Sequence, residues 1–487
     1  MKAVTCAEMV AIENEAIDRG VTAAHLMETV GWKMAQVILK RHPQKGNCVA
    51  YLGKGNNAGD ALVILRHLYE HGWTISVRME CLVEELSELS QINYRLIESH
   101  LSAPTHLNAD VLLDGLLGIG GKGALRDPLL SLAVEMNKRR NQGARVYVID
   151  IPSGVDADDG NVYDGAVIAD VTMIVACVKQ GLLADHAINH IGEIEFIEIS
   201  ELPAPIGDSH QHLELITENL LRFYIQRPPF SQHKGMAGRV GIIAGSKGMI
   251  GAAALAAKGA LRGGAGLVTL FVEESLYKYI LPLIPVEVMT QPIKTLDEVM
   301  KHKFDALVIG PGLGNSMFLS DIKNLLDKID YPIVLDADAL NWIAENQYLD
   351  NLKENHIVTP HPGEMARMLP ESSSLSREET AKLFVQKYSA TLLYKGSRTI
   401  VANKKSAIYY NTTGSPGMAS GGQGDTLSGL LAALLGKKHT PIEAASAGAW
   451  LTGKAATIAI ASGESEESLI ASDVIDHLGE AFRWLHG

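Results

Sequence analysis

The stretch NTTGSPGMASGGQGDTLSGLLAALLG, Asn411 to Gly436, sets glycine after glycine around one acid and then passes into an apolar helix pattern. Glycine leaves room for close backbone approach, so Gly421, Gly422 and Gly424 can turn several bare N–H groups into one concave space. Leu427, Leu430, Leu431, Leu434 and Leu435 recur at helical spacing, which predicts a helix over 426–435 with that space at its N-terminus. The helix dipole adds to the attraction for an anion, and phosphate fits. Asp425 would repel it, a cost that makes sense if the acid takes a proton from a hydroxyl as phosphoryl transfer begins. A cap on the helix is the simpler alternative reading of the same residue.

Upstream, short apolar runs alternate with helical stretches. GRVGIIAG, GLVTLFV, DALVIGPG, PIVLDADAL, HIVTP and TLLYKG read as strands of an α/β domain, with polar or glycine-rich loops at their ends. Those loops are the expected place for ligands in such sheets. An earlier alternation, NCVAYLG, TISVRME, DVLLDGLLG, RVYVID and VTMIVACV, predicts a separate parallel sheet covered on both faces, preceded by two helical segments. SELPAPIGDSHQHLE, Ser200 to Glu214, has two prolines and no periodicity and reads as a linker. We therefore expect two distinct α/β domains, 1–212 and 213–487, rather than a duplication.

The chain has 487 residues, 47% hydrophobic and 20% charged, a globular composition. A formal net charge of −13 without clusters of Lys and Arg argues against binding nucleic acid. Acids at Glu8, Glu13, Glu15 and Asp18 interrupt any signal-peptide core, and no apolar run reaches spanning length, so a cytoplasmic protein without a membrane segment is expected. Cys6, Cys48, Cys81 and Cys177 suit neither a disulfide framework nor a zinc site and are expected to be buried apolar residues.

The order GPGLG, VLDADAL, TPHPGE, KGSRT and PGMASGGQGDTLSG resembles the ribokinase-like superfamily and, within it, the ADP/ATP-dependent NAD(P)H-hydrate dehydratases. The resemblance implies that Asp425 is the base at the substrate hydroxyl and that Gly424 meets the nucleotide. It also implies that Lys395, Gly396, Ser397, Arg398 and Thr399 line the nucleotide's site, while Ala252, Gly314 and His361 contact the hydrated dinucleotide. The family's usual loop reads Gly-Thr-Gly-Asp; Gln423 stands here in place of Thr, which leaves the backbone donors unchanged.

In the first half, LGKGNNAGDALVILRHL (Leu52 to Leu68) follows a strand and opens a helix, and oxygen-bearing side chains recur in DGLLGIGGKGALRDP and VIDIPSGVDADDG. Carboxylate, amide and hydroxyl oxygens from such strand ends can hold a hard cation, and unrelated caps and turns would look the same. The run GNNAGD, DGLLG, IDIPSGVDADDG resembles the Rossmann-like NAD(P)H-hydrate epimerase domain. It implies a dinucleotide hydrate bound by Asn56, Asn57, Ala58, Gly59, Asp60, Gly118, Gly120, Gly121, Lys122, Gly123, Ala124 and Asp150. Potassium would be held by Asn57, Asp114 and Ser153. Asp150 is one candidate for the epimerisation base and Asp114 another. Ala58 and Ala61 replace glycines of the family's loop, a strain if either needs φ > 0.

Together the resemblances imply repair of hydrated NADH and NADPH: one domain interconverts the epimers and the other dehydrates one of them, with ADP rather than ATP as co-substrate, magnesium accompanying it, in a homo-oligomer. A small-molecule kinase fused to a nucleotide-binding module and a non-catalytic nucleotide sensor are the competing expectations.

Overall fold

The computed structural model describes residues 1–103, 108–204, 212–314 and 316–487, with the Met317 side chain excepted. It contains two compact units, one of residues 2–208 and the other of residues 209–487 together with Met1.

The first unit holds six strands: β1 (Asn47–Leu52), β2 (Thr74–Arg78), β3 (Val111–Gly115), β4 (Arg145–Ile149), β5 (Val171–Val175) and β6 (Glu193–Ile197). All pair in parallel, in the order β2-β1-β3-β4-β5-β6. Burial alternates as the strand period demands. Cys48, Ala50 and Leu52 join Val111 and Leu113 on one face, while Val49, Tyr51 and Leu112 join Val146 and Val148 on the other. The order reverses between β1 and β3, so the crevice beyond their carboxyl ends is the switch point where doubly wound sheets bind ligands.

The second unit adds β7 (Leu213–Leu215), β8 (Arg239–Ile243), β9 (Leu267–Glu273), β10 (Met289–Ile293), β11 (Ala306–Ile309), β12 (Ile333–Leu335), β13 (His356–Val358), β14 (Thr391–Tyr394), β15 (Ile400–Ala402) and β16 (Ile408–Tyr410). They form one sheet in the order β10-β9-β8-β11-β12-β13-β14-β15-β16-β7. The stretch β10 to β14 is parallel, and β15 runs antiparallel to both of its neighbours. Part of the expected linker is in fact structure: Leu213–Leu215 pairs in parallel with Ile408–Tyr410 at the sheet edge.

Helix Gln423–Gly436 lies against this sheet with every residue from Thr426 to Gly436 buried. It crosses helix Ile250–Arg262 closely enough that a Cβ on Gly429 would stand 2.0 Å from the Ala256 carbonyl oxygen. The Ala-rich composition of that second helix is thus a packing requirement.

Cys6, Cys48 and Cys177 are buried as expected, whereas Cys81 is only half-buried because it sits at a cavity wall. Among the described residues no helix is long and apolar enough to cross a membrane.

Candidate active sites

Asp425 is the third residue of helix Gln423–Gly436; the cap is Gly422, in left-handed conformation with φ 89°. The helix therefore begins three residues earlier than its apolar spacing suggests, and Asp425 is not its capping residue. Thr426 is the first amide with an acceptor inside the helix, the Gly422 carbonyl at 3.1 Å, so the amides of Gln423, Gly424 and Asp425 lie at the positive end. The Gln423 side chain turns back to donate to Ser420 Oγ at 3.2 Å.

The acid is set among other charges. Burial pushes the Asp425 carboxyl up to about 6; the neighbouring Asp336 adds to the shift, Lys395 opposes it, and Asp338 adds a little more. Asp336 follows β12 and is 1% exposed. Its Oδ1 accepts from Lys395 Nζ at 2.8 Å and from the Ala337 amide at 2.9 Å, and its Oδ2 accepts from Ser428 Oγ at 2.8 Å. Burial would raise this carboxyl, but Lys395 and these hydrogen bonds hold it below the usual aspartate value. The Lys395 ammonium is raised: burial works against its charge, and Asp336 and then Glu364 outweigh that. Ala337, between the two acids Asp336 and Asp338, has φ 49°, a strained backbone for a residue with a side chain.

The loops expected to converge do so here. The Lys395 amide donates to the Pro360 carbonyl at 2.9 Å, joining KGSRT to TPHPGE. Gly245 N donates to the Pro311 carbonyl at 2.9 Å, and a Cβ on Gly312 would lie 2.8 Å from that of Ala252, joining GPGLG to the loop after β8. The Gly314 amide is taken by Asp338 Oδ2 at 2.7 Å. His361 caps helix Pro362–Met368, its Nδ1 accepting from the Gly363 amide at 3.0 Å while its own amide donates to Glu364 Oε2 at 2.8 Å. Half of its side chain remains exposed. In the lysine loop, Gly396 and Ser397 are exposed, Lys395 and Thr399 half-buried, and Arg398 is turned inward and buried. Asp336, Asp338, Glu364 and Ser428 were not singled out by the sequence reading; the acids at the end of VLDADAL, a strand followed at once by two carboxylates, carried that signal.

The first unit has a cavity of about 1150 Å³ at the switch point, lined from the loops after β1, β3 and β4. Asn56, Asn57, Asp60, Gly118, the segment 120–124 and Asp150 all reach it; Ala58 and Gly59 do not. Asn56–Asp60 are not a loop: they open helix Asn56–Glu70, and Ala58 and Gly59 face its buried side. Ala58 and Ala61 have helical backbone, so the feared strain does not arise, and each is fully buried. Burial raises the Asp60 carboxyl well above the ordinary aspartate value, with Asp150 and then Glu13 adding to it. Asp150, at φ 66°, accepts on Oδ1 from the Val175 amide at 3.0 Å and from Lys179 Nζ at 2.6 Å. Lys179 is 0% exposed. Lys179 was not singled out from sequence, and Glu13 was read only as an acid against a signal peptide, since each sits in a run without a recognisable spacing.

Asn57, Asp114 and Ser153 are linked through one loop. Asp114 accepts from the Ser153 amide and hydroxyl, each at 2.8 Å; Ser153 Oγ accepts from the Leu117 amide at 3.0 Å; and Asn57 Nδ2 donates to the Leu117 carbonyl at 2.8 Å. Burial lifts the Asp114 carboxyl to about 6, with the bonds from Ser153 and Leu116 working against that. A second cavity of about 10 Å³, the size of one water or one bare ion, is lined by Leu117, Gly118, Gly121, Gly123 and the segment 151–155, Ser153 included.

Two family models match the chain. That of NAD(P)H-hydrate dehydratase covers residues 240–477, and that of the YjeF-related protein N-terminus covers residues 23–181. A bifunctional NAD(P)H-hydrate repair enzyme of Moorella thermoacetica is 33% identical over 521 residues, spanning 99% of this chain and 97% of its own. One from Escherichia coli is 32% identical over 96% of this chain and 91% of its own. Among solved structures, a ribokinase-like superfamily protein from Enterococcus faecalis superposes on 58% of this chain and 99% of its own with a TM-score of 0.50 at 23% identity, a likeness of fold.

Proposed function

Because the chain belongs to the family of bifunctional NAD(P)H-hydrate repair enzymes, we propose that its first unit interconverts the R and S hydrates of NADH and NADPH and its second dehydrates the S form at the expense of ADP. The observation that carries the second half is the meeting of Asp425 with bare helix-terminal amides and the Lys395–Asp336 pair. The Asp425 carboxylate takes the proton of the ring hydroxyl while its oxygen attacks the terminal phosphoryl group. The amides of 423–425 and the Lys395 ammonium meet the charge that moves. The ring nitrogen's electron pair then expels phosphate as the C–O bond breaks, and loss of a proton from the adjacent carbon restores the double bond. ADP becomes AMP and inorganic phosphate is released; ATP is the less favoured donor.

Gly424 and the exposed part of the lysine loop are assigned to the nucleotide, and Ala252, Gly314 and His361 to the dinucleotide hydrate. A magnesium ion would be carried in on the nucleotide, whose phosphate oxygens leave it needing few protein ligands. In the first unit, Asp114, Asn57 Oδ1, Ser153 and nearby carbonyls make an all-oxygen donor set, and Ser153 in it borders the cavity of ionic size, a fit for potassium. There the ion would offer positive charge to the substrate's phosphates.

The base must be ionised to act, so with the Asp425 carboxyl at about 6 the kcat/KM of dehydration should rise about tenfold per pH unit below that point and level off above it. A profile flat from pH 5 to 7 (roughly a unit either side) would contradict this. Product analysis tests the reaction class: inorganic phosphate with restored dinucleotide supports the proposal, and an accumulating phosphorylated alcohol would make the protein a kinase.

A further inference from the structure

The cavity of the first unit receives one carboxylate, Glu13, from outside the segment 23–181 that the family model covers. Helix Cys6–Asp18 is clamped to the segment after β5. Val4 bridges in parallel to Lys179, with Val4 N donating to the Val178 carbonyl at 2.9 Å and Gln180 N to the Val4 carbonyl at 3.0 Å. Thr5 caps the helix in a reciprocal box with Glu8, and Cys6 N donates to Asp158 Oδ1 at 2.6 Å. Below, Val4, Met9, Ile12 and Cys177 form a small apolar cluster. With Met9, Ile12 and Ala16 fixing the buried face, Glu13 is left at the cavity wall.

Among the described residues Glu13 forms no ion pair of its own there. The charged groups that face it are Lys179, Asp150 and Asp60. Lys179 is already bound to Asp150 at 2.6 Å. A carboxyl so placed keeps its proton more readily than an exposed glutamate. Burial raises it, Asp150 raises it further, and Lys179 opposes. Glu13, Asp60 and Asp150 thus share a wall that also carries Glu80, Glu85 and Asp127, and the one buried cation facing Glu13, Lys179, is spent on Asp150.

Resting on the epimerase reading of this unit, we propose that Glu13 is the general acid of epimerisation, with Asp150 the fixed negative charge opposite it. The hydroxyl of the hydrate sits on a ring carbon bonded to nitrogen. Glu13 gives its proton to that hydroxyl; the C–O bond breaks with its electron pair leaving on oxygen as water. The nitrogen lone pair forms the C=N bond of an iminium, whose positive charge Asp150 stabilises. Water adds to the other face of the carbon, the C=N pair returns to nitrogen, and the surplus proton leaves to the solvent of the open cavity, from which Glu13 is reprotonated. Nothing is oxidised or reduced, and the only change is the configuration at one carbon. The first helix is in this view part of the active site, and its clamp on Lys179 sets the distance between acid and anion.

The test uses the full chain and a single purified NADHX epimer, without nucleotide, with interconversion followed chromatographically across pH. Glu13→Gln should lower kcat of epimerisation by about 10²–10³-fold with KM little changed, Glu13→Asp should recover part of it, and dehydration by the second unit should stay as in the parent. The parent's rate should fall as pH rises through the raised Glu13 value, and this limb should vanish in Glu13→Gln. An unaltered rate in Glu13→Gln, or a limb that persists there and so belongs to Asp60, would overturn the proposal, as would equal losses in Gln and Asp variants. If the parent itself fails to interconvert the epimers, it is the epimerase reading that falls.

Discussion

Asp425→Asn should lose dehydration by about 10³-fold in kcat while binding nucleotide at least as tightly as the parent. Both halves follow from one feature. The carboxyl at the helix N-terminus is costly for a phosphate site, and burial beside Asp336 makes it costlier, as its rise to about 6 records. Asparagine keeps the shape, removes the repulsion and cannot accept the proton. Phosphate release in single turnover and a nucleotide titration measure the two effects separately. Turnover within about twofold of the parent would remove Asp425 from the role of base.

Lys179→Met should cost the first unit about 3–5 kcal/mol. Lys179 has no solvent exposure, and its ammonium bonds Asp150 Oδ1 at 2.6 Å and the Val175 carbonyl at 3.3 Å. Without it Asp150 keeps a buried charge, with Glu13 and Asp60 on the same cavity wall and only the exposed Lys54, Lys122 and Arg126 as cations lining it. For a unit of this size the loss corresponds to a thermal midpoint lower by about 10 °C. The double variant Lys179→Met with Asp150→Asn should recover much of it, because the uncompensated charge is gone. A single variant as stable as the parent would mean that water from the cavity reaches Asp150 and screens the charge that Lys179 leaves behind.

Most of the architecture could be read from the chain, and the exceptions share a cause. The buried parallel strands announce themselves as apolar runs with loops of distinctive composition at their ends, as at β12 and VLDADAL. Leu213–Leu215, three residues behind a proline-bearing stretch, has no periodicity to offer; only its pairing with β16 makes it a strand. The start of helix Gln423–Gly436 was hidden for a related reason, since Gln423, Gly424 and Asp425 carry no apolar signal even where the backbone is helical. At the sites, residues in loops with unusual composition were visible. Those that act on them from elsewhere were not: Asp336 is defined by its bonds to Lys395 and Ser428, 59 and 92 positions away. Glu13 reaches the cavity only because Val4 is bridged to Lys179. Sequence shows a site's loops more readily than the charges packed behind them.

Restoration of the whole pool of hydrated cofactor rests on two activities on one chain. It is tested most directly by giving the purified protein a mixture of both NADHX epimers with ADP and following the return of reduced-nicotinamide absorbance together with phosphate. Complete, ADP-dependent recovery, which in Glu13→Gln slows after the S fraction is consumed, is the predicted result. Recovery that halts at the S fraction in the parent, or phosphate retained on the product, would contradict it.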